Sequence, residues 1–563
     1  MSINFDKSMP DGGHPCTDGA EHAGPDPLTD SSDPSHAGEN VRMMRAAGVV
    51  GGATLLSRIL GAVRDIVIAS FFGAGLTSDA FIAAFRIPNL LRRLLGEGTL
   101  SIAFVPVYTD VLYHQGRTEA DRMATSAIRL LALVLLGCAL FGIVAAPWLV
   151  RLFAPGFAES ADKFELTASL TRIMFPYVIF VGLLALCMGI LNVLGHFAAP
   201  ALAPVFLNIA MIAALCLGAM WSMDQNVQVR WLAFGVILGG VLQLGLQIPV
   251  LVRSRFRFWK KAPLWHPSFQ RILLMLGPVL LGAAVYQINS LVVTLLASLL
   301  PQGSVSYLYY ADRLVQFPLG IFGIATATAI LPTLARQAAA QQCEAMRQTF
   351  AHAITLVFFI TLPSMVGLIV LREPIVALLF QRGAFDAHSM RLTASALLYY
   401  CTGLWAFSGI RIVLNVFYAL KDARTPLRIS LIAIAANLIV GALLMGPMQH
   451  NGLALALSLS SVFNMALLTV ALRRKLGALG WRAICTSIVK TAMCAALMGV
   501  CVEAVSGWLL PSDGGTGLQL LPGVAGCAFI GTLVFAGLAH ALKLPEMRKL
   551  LDIVRKNSPA TPA

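Results

Sequence analysis

Among the charged side chains inside largely apolar stretches of sequence, ten are candidates for a binding site: Arg58, Arg64, Asp79, Arg86, Arg92, Arg93, Glu97, Asp312, Arg313 and Arg411. An arginine at the centre of a membrane helix costs about 2.5–3.5 kcal/mol, so each must face protein or a wet cavity. In "SRILGAVRD" (57–65), Arg58 and Asp65 are seven apart and share a helix face. They form either a neutralised pair, with Arg64 reaching a lipid headgroup, or part of a binding surface. In "SDAFIAAFRIPNLLRRLLGEG" (78–98), Asp79, Arg86 and Arg93 recur every seven residues, although Pro88 interrupts the register. In "SVSYLYYADRLVQFP" (304–318), an aromatic belt accounts for the tyrosines but not for Asp312 and Arg313. Arg411 is a further single candidate. The cations outnumber their carboxylates. Such a surplus suits a diphosphate, because guanidinium stays charged when buried and grips phosphate oxygens in a fork. A cationic drug or Na⁺ would call for surplus carboxylates instead.

These residues need a membrane to sit in. The 563 residues are 58% hydrophobic and only 12% charged, where a soluble chain carries about 25% charged residues. The apolar residues fall into fourteen segments: 46–73, 77–110, 125–153, 166–195, 200–221, 230–252, 270–299, 304–336, 349–371, 390–420, 426–446, 452–473, 484–510 and 518–542. Most are long enough to cross a hydrocarbon core of about 30 Å. The second holds Pro88, Gly96, Gly98 and Pro106, and is expected to be kinked or broken. Loops after even-numbered segments are basic, as at 253–261 and 473–482; loops after odd-numbered ones, such as 74–77, 300–303 and 447–452, are poor in Lys and Arg. The positive-inside rule then places both termini in the cytoplasm.

The first 40 residues carry eight acids and one lysine among many Pro, Gly and Ser, a composition expected to be disordered and dispensable. Without them the chain holds 40 basic against 19 acidic residues. Placement of that excess in short loops points to membrane topology rather than to nucleic acid. The scattered cysteines read as small core hydrophobes and imply neither a zinc site nor a disulfide framework.

The chain also repeats itself. "PWLVRLFAPG" (147–156) matches "PIVALLFQRG" (374–383) as Pro-x4-Leu-Phe-x2-Gly, and Arg86-Ile87 matches Arg313-Leu314 at the same offset of 227. "FVP" (104–106) matches "ILP" (330–332), and "LNV" recurs at 191 and 414. The offset spans six segments, an even number, so the copies share an orientation about a pseudo-two-fold along the membrane normal. The expected fold is an all-α polytopic membrane protein with about fourteen transmembrane helices. Its parts are a leader (1–42), two six-helix lobes (43–262 and 263–475), two extra helices (476–545) and a basic tail (546–563).

From about residue 43 to about 545 the sequence resembles the MurJ (MviN) lipid II flippases, within the multidrug/oligosaccharidyl-lipid/polysaccharide exporter superfamily. "SRILGAVRD", "TSDAFIAAFRIPNLLRRLLGEGTLSIAFVPVY", "APGFA", "FPY" and "YYADRLVQFPLGIFGIA" carry the likeness. The acidic leader departs from the family pattern, whose members usually begin near the position of Met43 and Met44. The resemblance implies alternating access between two lobes of an inner-membrane transporter. The family's functional arginines map onto Arg58, Arg64, Arg92 and Arg313, its functional acid onto Asp79, and a groove for the undecaprenyl tail onto the last two helices. Lipid II and membrane lipids are the expected partners, with contacts to the cell-wall synthesis machinery, in a monomer; nucleic acid, cofactor and metal are not expected. A related drug or polysaccharide-lipid exporter would share the fold. A polyprenyl-phosphate glycosyltransferase fits poorly, since the 503–518 region supplies only Glu503 and Asp513 as acids.

Overall fold

A computed structural model describes residues 34–96, 99–256, 262–511, 515 and 517–548. Glu97, residues 1–33 of the leader, residues 257–261 of the basic loop and residues 549–563 of the tail therefore lie outside the described residues. Those described form helices and turns, with no strand. The order opens with α1 (Pro34–Phe72), α2 (Leu76–Gly96), α3 (Thr99–His114), α4 (Arg117–Val144), α5 (Ala146–Phe153), α6 (Ala161–Met174) and α7 (Tyr177–Val193). Next come α8 (Ala198–Trp221) and α9 (Gln225–Arg253), packed along one another. The pattern then restarts with α10 (Phe269–Ser298), α11 (Ser304–Pro318), α12 (Ile324–Ala339), α13 (Cys343–Val370), α14 (Arg372–Phe380), α15 (Ala387–Cys401) and α16 (Leu404–Ala419). A long stretch, α17 (Arg424–Leu476), is bent at Gln449 (φ 50°, ψ −134°), two residues after Pro447. Finally α18 (Trp481–Leu509) and α19 (Leu521–Ala541) pack on each other and on α13.

The internal repeat is visible in the helix boundaries. α4 opens at Arg117 and α13 at Cys343, α5 at Ala146 and α14 at Arg372, α6 at Ala161 and α15 at Ala387, 226 residues apart each time. Helices or broken helix pairs cover all fourteen apolar segments. Among the described residues eight stretches are by themselves long and apolar enough to cross a membrane, or nine counting the α15–α16 pair, which bends by 42°. In the second segment α2 ends at Gly96 and α3 begins at Thr99, with residues 97–98 outside those described, while Pro88 and Pro106 stay inside α2 and α3. The eighth segment is interrupted by a π-helical turn at Leu319–Gly323, directly after Pro318. Helix α1 begins at Pro34, inside the stretch read as leader. Pro34 supplies a fixed φ for the first turn, and Glu39, Met43, Met44 and Arg45 favour helix.

Outward-facing positions remain apolar. On α4, Leu133, Val134, Leu136, Leu140 and Phe141 are exposed, an apolar surface suited to lipid rather than water. Separate buried clusters hold α2, α6, α7, α8 and α9 together, and α12, α13, α16, α17, α18 and α19 together. A third cluster joins the repeats: Ala69, Ile82 and Phe157 from the first meet Leu296, Tyr310, Phe380 and Phe385 from the second. It lies at the end of the molecule where α1 turns into α2 and α10 into α11. The charged site hangs from this end.

Candidate functional site

The turn between α1 and α2 lies against the turn between α10 and α11: a methyl group on Gly303 would stand 2.8 Å from the carbonyl oxygen of Ala74. Helix α11 follows Gly303 (φ 94°), which offers no side chain to cap it. Its first amides therefore need an acceptor from elsewhere. Asp79, near the start of α2, provides it. Oδ2 accepts from Gly303 N (2.8 Å), and Oδ1 accepts from Ser306 N (2.9 Å) and Ser306 Oγ (2.6 Å). Lys163 of α6 donates to Oδ2 at 2.8 Å and packs over the Phe157 ring at 4.0 Å. A carboxylate at a helix N-terminus gains from both the free amides and the helix dipole. Asp79 is 1% exposed. In this conformation this residue, expected from sequence to serve the substrate, accepts from Lys163 of its own repeat and from the start of α11 in the other.

Deeper along the same seam a second carboxylate gathers cations. Asp65 lies about 10 Å below the last residue of α1, Phe72, at 1.5 Å rise per residue. Arg64 Nε and Nη2 donate to Asp65 Oδ1 at 3.0 and 2.7 Å, and Arg64 Nη1 donates to Asn208 Oδ1 at 3.1 Å. Asn208 Nδ2 in turn donates to the Ser57 carbonyl, which fixes α8 against α1. From α11, Arg313 Nε lies 3.2 Å from Asp65 Oδ2. Tyr309 bridges the two, donating to Asp65 Oδ1 (3.2 Å) and accepting from Arg313 Nη2 (2.9 Å). Two guanidinium groups from different repeats thus share one carboxylate. Arg64 does not extend to a lipid headgroup at the membrane surface in this conformation: it is buried and held from two sides. The reading in which Arg58 neutralises Asp65 fails.

The other expected residues are placed separately from this pair of guanidinium groups. Arg58 is exposed and makes no hydrogen bond or ion pair among the described residues. It lies over Gly320 in the π-helical turn, where an added methyl would overlap Nη1 and stand 2.8 Å from Cζ. Arg86 crosses from α2 to α10, donating to the Ser290 carbonyl (3.2 Å) and to Thr294 Oγ1. Asp312, held by Gln316, is within electrostatic reach of Arg86, Arg93 and Arg313. Arg92 donates to Asn89 Oδ1 at 2.6 Å on its own helix. Arg411 sits half-buried on α16 and has no hydrogen bond or ion pair with this cluster. Sequence reasoning missed Lys163 because the fourth apolar segment was started at 166, which left this lysine in a loop; α6 begins at Ala161. It also missed Tyr309 and Asn208 as the residues that hold the arginines in place. Among the described residues no group of three or more His, Cys, Asp or Glu is placed to hold a metal ion.

Comparisons with known proteins agree on one relationship. The sequence model of the family described as "Lipid II flippase MurJ" matches residues 68–512. A probable lipid II flippase MurJ of Vibrio cholerae is 39% identical over 439 residues, covering 76% of this chain and 82% of its own. Its counterpart in Bdellovibrio bacteriovorus is 33% identical over 511 residues, covering 90% of this chain and 96% of its own. Among solved structures, a lipid II flippase MurJ in an inward closed conformation superposes with a TM-score of 0.74 at 25% identity, covering 89% of this chain and 99% of that one. An inward-facing multidrug resistance MATE family transporter of the MOP superfamily superposes with a TM-score of 0.65 at 16% identity, over 77% of this chain and 99% of that one, and so shares the fold. The chain is an integral membrane protein that belongs to the lipid II flippase MurJ family.

Proposed function

We propose that the chain carries lipid II, an undecaprenyl-diphosphate-linked cell-wall precursor, from the cytoplasmic to the periplasmic leaflet of the bacterial inner membrane. The observation that carries this reading is the convergence of Arg64 and Arg313, from the two repeats, on the single carboxylate of Asp65. Residues 43–262 and 263–475 act as two lobes, 476–545 line the path of the lipid tail, and both termini are cytoplasmic. In that orientation the Asp79 contact with α11 closes the periplasmic end. The arginines then form the ceiling of a cavity open toward the cytoplasm. The headgroup's diphosphate competes with Asp65 for Arg64 and Arg313, while Arg58, Arg86, Arg92 and Arg93 add positive charge around it. Buried guanidinium groups replace water around phosphate oxygens through charge-assisted forks. Opening of the periplasmic end and closing of the other then releases the headgroup outward. No bond is made or broken, and the tail stays in lipid throughout.

Depletion of the protein in its native host, followed by measuring lipid II in each leaflet, tests this directly. Accumulation on the cytoplasmic leaflet is expected. An unchanged distribution after complete loss of the protein defeats the reading.

A further inference from the structure

The two copies of Pro-x4-Leu-Phe-x2-Gly end in glycines, Gly156 and Gly383, that no charged site uses. Each lies against the first helix of the other repeat. Gly156, in the 3₁₀ turn Pro155–Glu159 after α5, presses on the C-terminal end of α10. A methyl there would overlap the Ser298 carbonyl oxygen and stand 2.6 Å from its carbon and 2.7 Å from Leu299 Cα. Gly156 N also donates to Ser298 Oγ at 3.2 Å. Gly383 (φ 56°), after α14, presses on the C-terminal end of α1 in the same way. A methyl there would overlap the Ser70 carbonyl oxygen and stand 3.1 Å from its carbon, and Ala384 N donates to that oxygen at 2.8 Å. The obstacles are backbone atoms, which unlike a side-chain tip have no other rotamer to adopt. Around both contacts packs the apolar cluster that joins the repeats, including Phe157, Phe380 and Phe385.

We infer that Gly156 and Gly383 are paired closing contacts of the periplasmic end: each lets one lobe's short helix seat on the other lobe's first helix, and both contacts part when the end opens. They flank the Asp79 contact across the pseudo-two-fold and are missing their Cβ because closure brings backbone onto backbone. The inference rests on the orientation proposed above.

The test uses the full chain in native membranes, with its own accessible cysteines replaced and a reporter cysteine at Ser304, which is buried in the closed seam. An impermeant maleimide is added from the periplasmic side. Gly156→Ala is expected to raise reporter labelling several-fold and to lower transport, and Gly383→Ala to do the same. Gly116→Ala has a left-handed backbone (φ 84°) but open space around its Cβ, and is expected to leave labelling unchanged. Unchanged labelling in Gly156→Ala, or an equal rise in Gly116→Ala, overturns the inference. Should the glycine variants fail to reach the membrane, Ser298→Cys with both glycines intact decides. It is expected to label slowly from the periplasmic side during transport, and to stop when a Ser78→Cys/Ser306→Cys disulfide locks the seam. Ser298→Cys that stays unlabelled from both sides while transport proceeds overturns the inference. Labelling from the cytoplasmic side alone overturns the orientation instead.

Discussion

Arg58 and Arg64 stand about one and two-thirds helical turns apart, yet their surroundings make opposite demands. Arg64 is buried between Asp65 and Asn208, whereas Arg58 is exposed and makes no hydrogen bond or ion pair among the described residues. If both serve a diphosphate, each loss removes a charge-assisted hydrogen bond worth about 1.5–3 kcal/mol, roughly a ten- to hundredfold drop in headgroup affinity. Their effects on stability should nevertheless separate. Arg64→Ala leaves Asp65 with Arg313 as its remaining cation and removes the tie to Asn208, so it lowers both melting temperature and transport. Arg58→Ala breaks nothing formed in this conformation; it should melt as the parent does and still fail to transport. Lysine at either position restores part of the loss, keeping the charge but not the fork. Complementation of a depleted strain, normalised to membrane abundance, together with melting in detergent, checks all four variants. Full growth from Arg58→Ala at normal abundance would remove Arg58 from the site, and full growth from Arg313→Ala as well would end the diphosphate mechanism.

At the scale of elements, the sequence announces apolar segments clearly because a membrane helix must bury its backbone hydrogen bonds within itself and face lipid with apolar side chains. Pro318 marks the place where a π-helical turn interrupts the eighth segment. What stays hidden is which partner a buried charge finds. Asp65 and Arg313 are 248 positions apart, and the pairing of Asp79 with the start of α11 follows from a helix, at Gly303, that lacks its own cap. A sequence window sees Asp79 as a charge in an apolar stretch and cannot see four donors closing on it. That closure makes a prediction about α11. Asp79→Ala orphans both the first amides of α11 and the ammonium of Lys163; breaking a buried pair by removing one partner costs about 3–5 kcal/mol. Lys163→Met added to Asp79→Ala removes the stranded charge and should recover part of the melting temperature, although Lys163→Met alone lowers it. Strictly additive losses in this double-mutant cycle would show that Lys163 and Asp79 are not energetically coupled.

Across the described residues one helical pattern occurs twice, in α1–α9 and again from α10 onward, with α18 and α19 packed on α13. The motif Pro-x4-Leu-Phe-x2-Gly makes its repeat legible, and the two copies end in glycines, Gly156 and Gly383, that each stand where a Cβ would meet backbone. Orientation in the membrane rests on charge. The basic loop at 253–261 and the run Arg473, Arg474 and Lys475 at the end of α17 follow even-numbered segments, while 74–77 and 300–303 follow odd-numbered ones and carry no Lys or Arg. Basic loops are retained in the cytoplasm during insertion, so the two poor turns should lie together on the periplasmic side. The fold agrees that these turns belong to one face, since Gly75 lies against Gln302: a methyl on it would stand 3.4 Å from the Gln302 amide nitrogen. Single-cysteine labelling reads both faces in one background, once Cys138, Cys216, Cys485 and Cys501, which are exposed, have been replaced. Gln302→Cys should react with an impermeant maleimide added to intact spheroplasts, and Arg257→Cys only after the membrane is opened. Strong external labelling of Arg257→Cys with Gln302→Cys protected would invert the protein in the membrane. The Asp79 contact would then close the cytoplasmic end, and the arginine cluster would face the leaflet to which lipid II is delivered rather than the one where it is made.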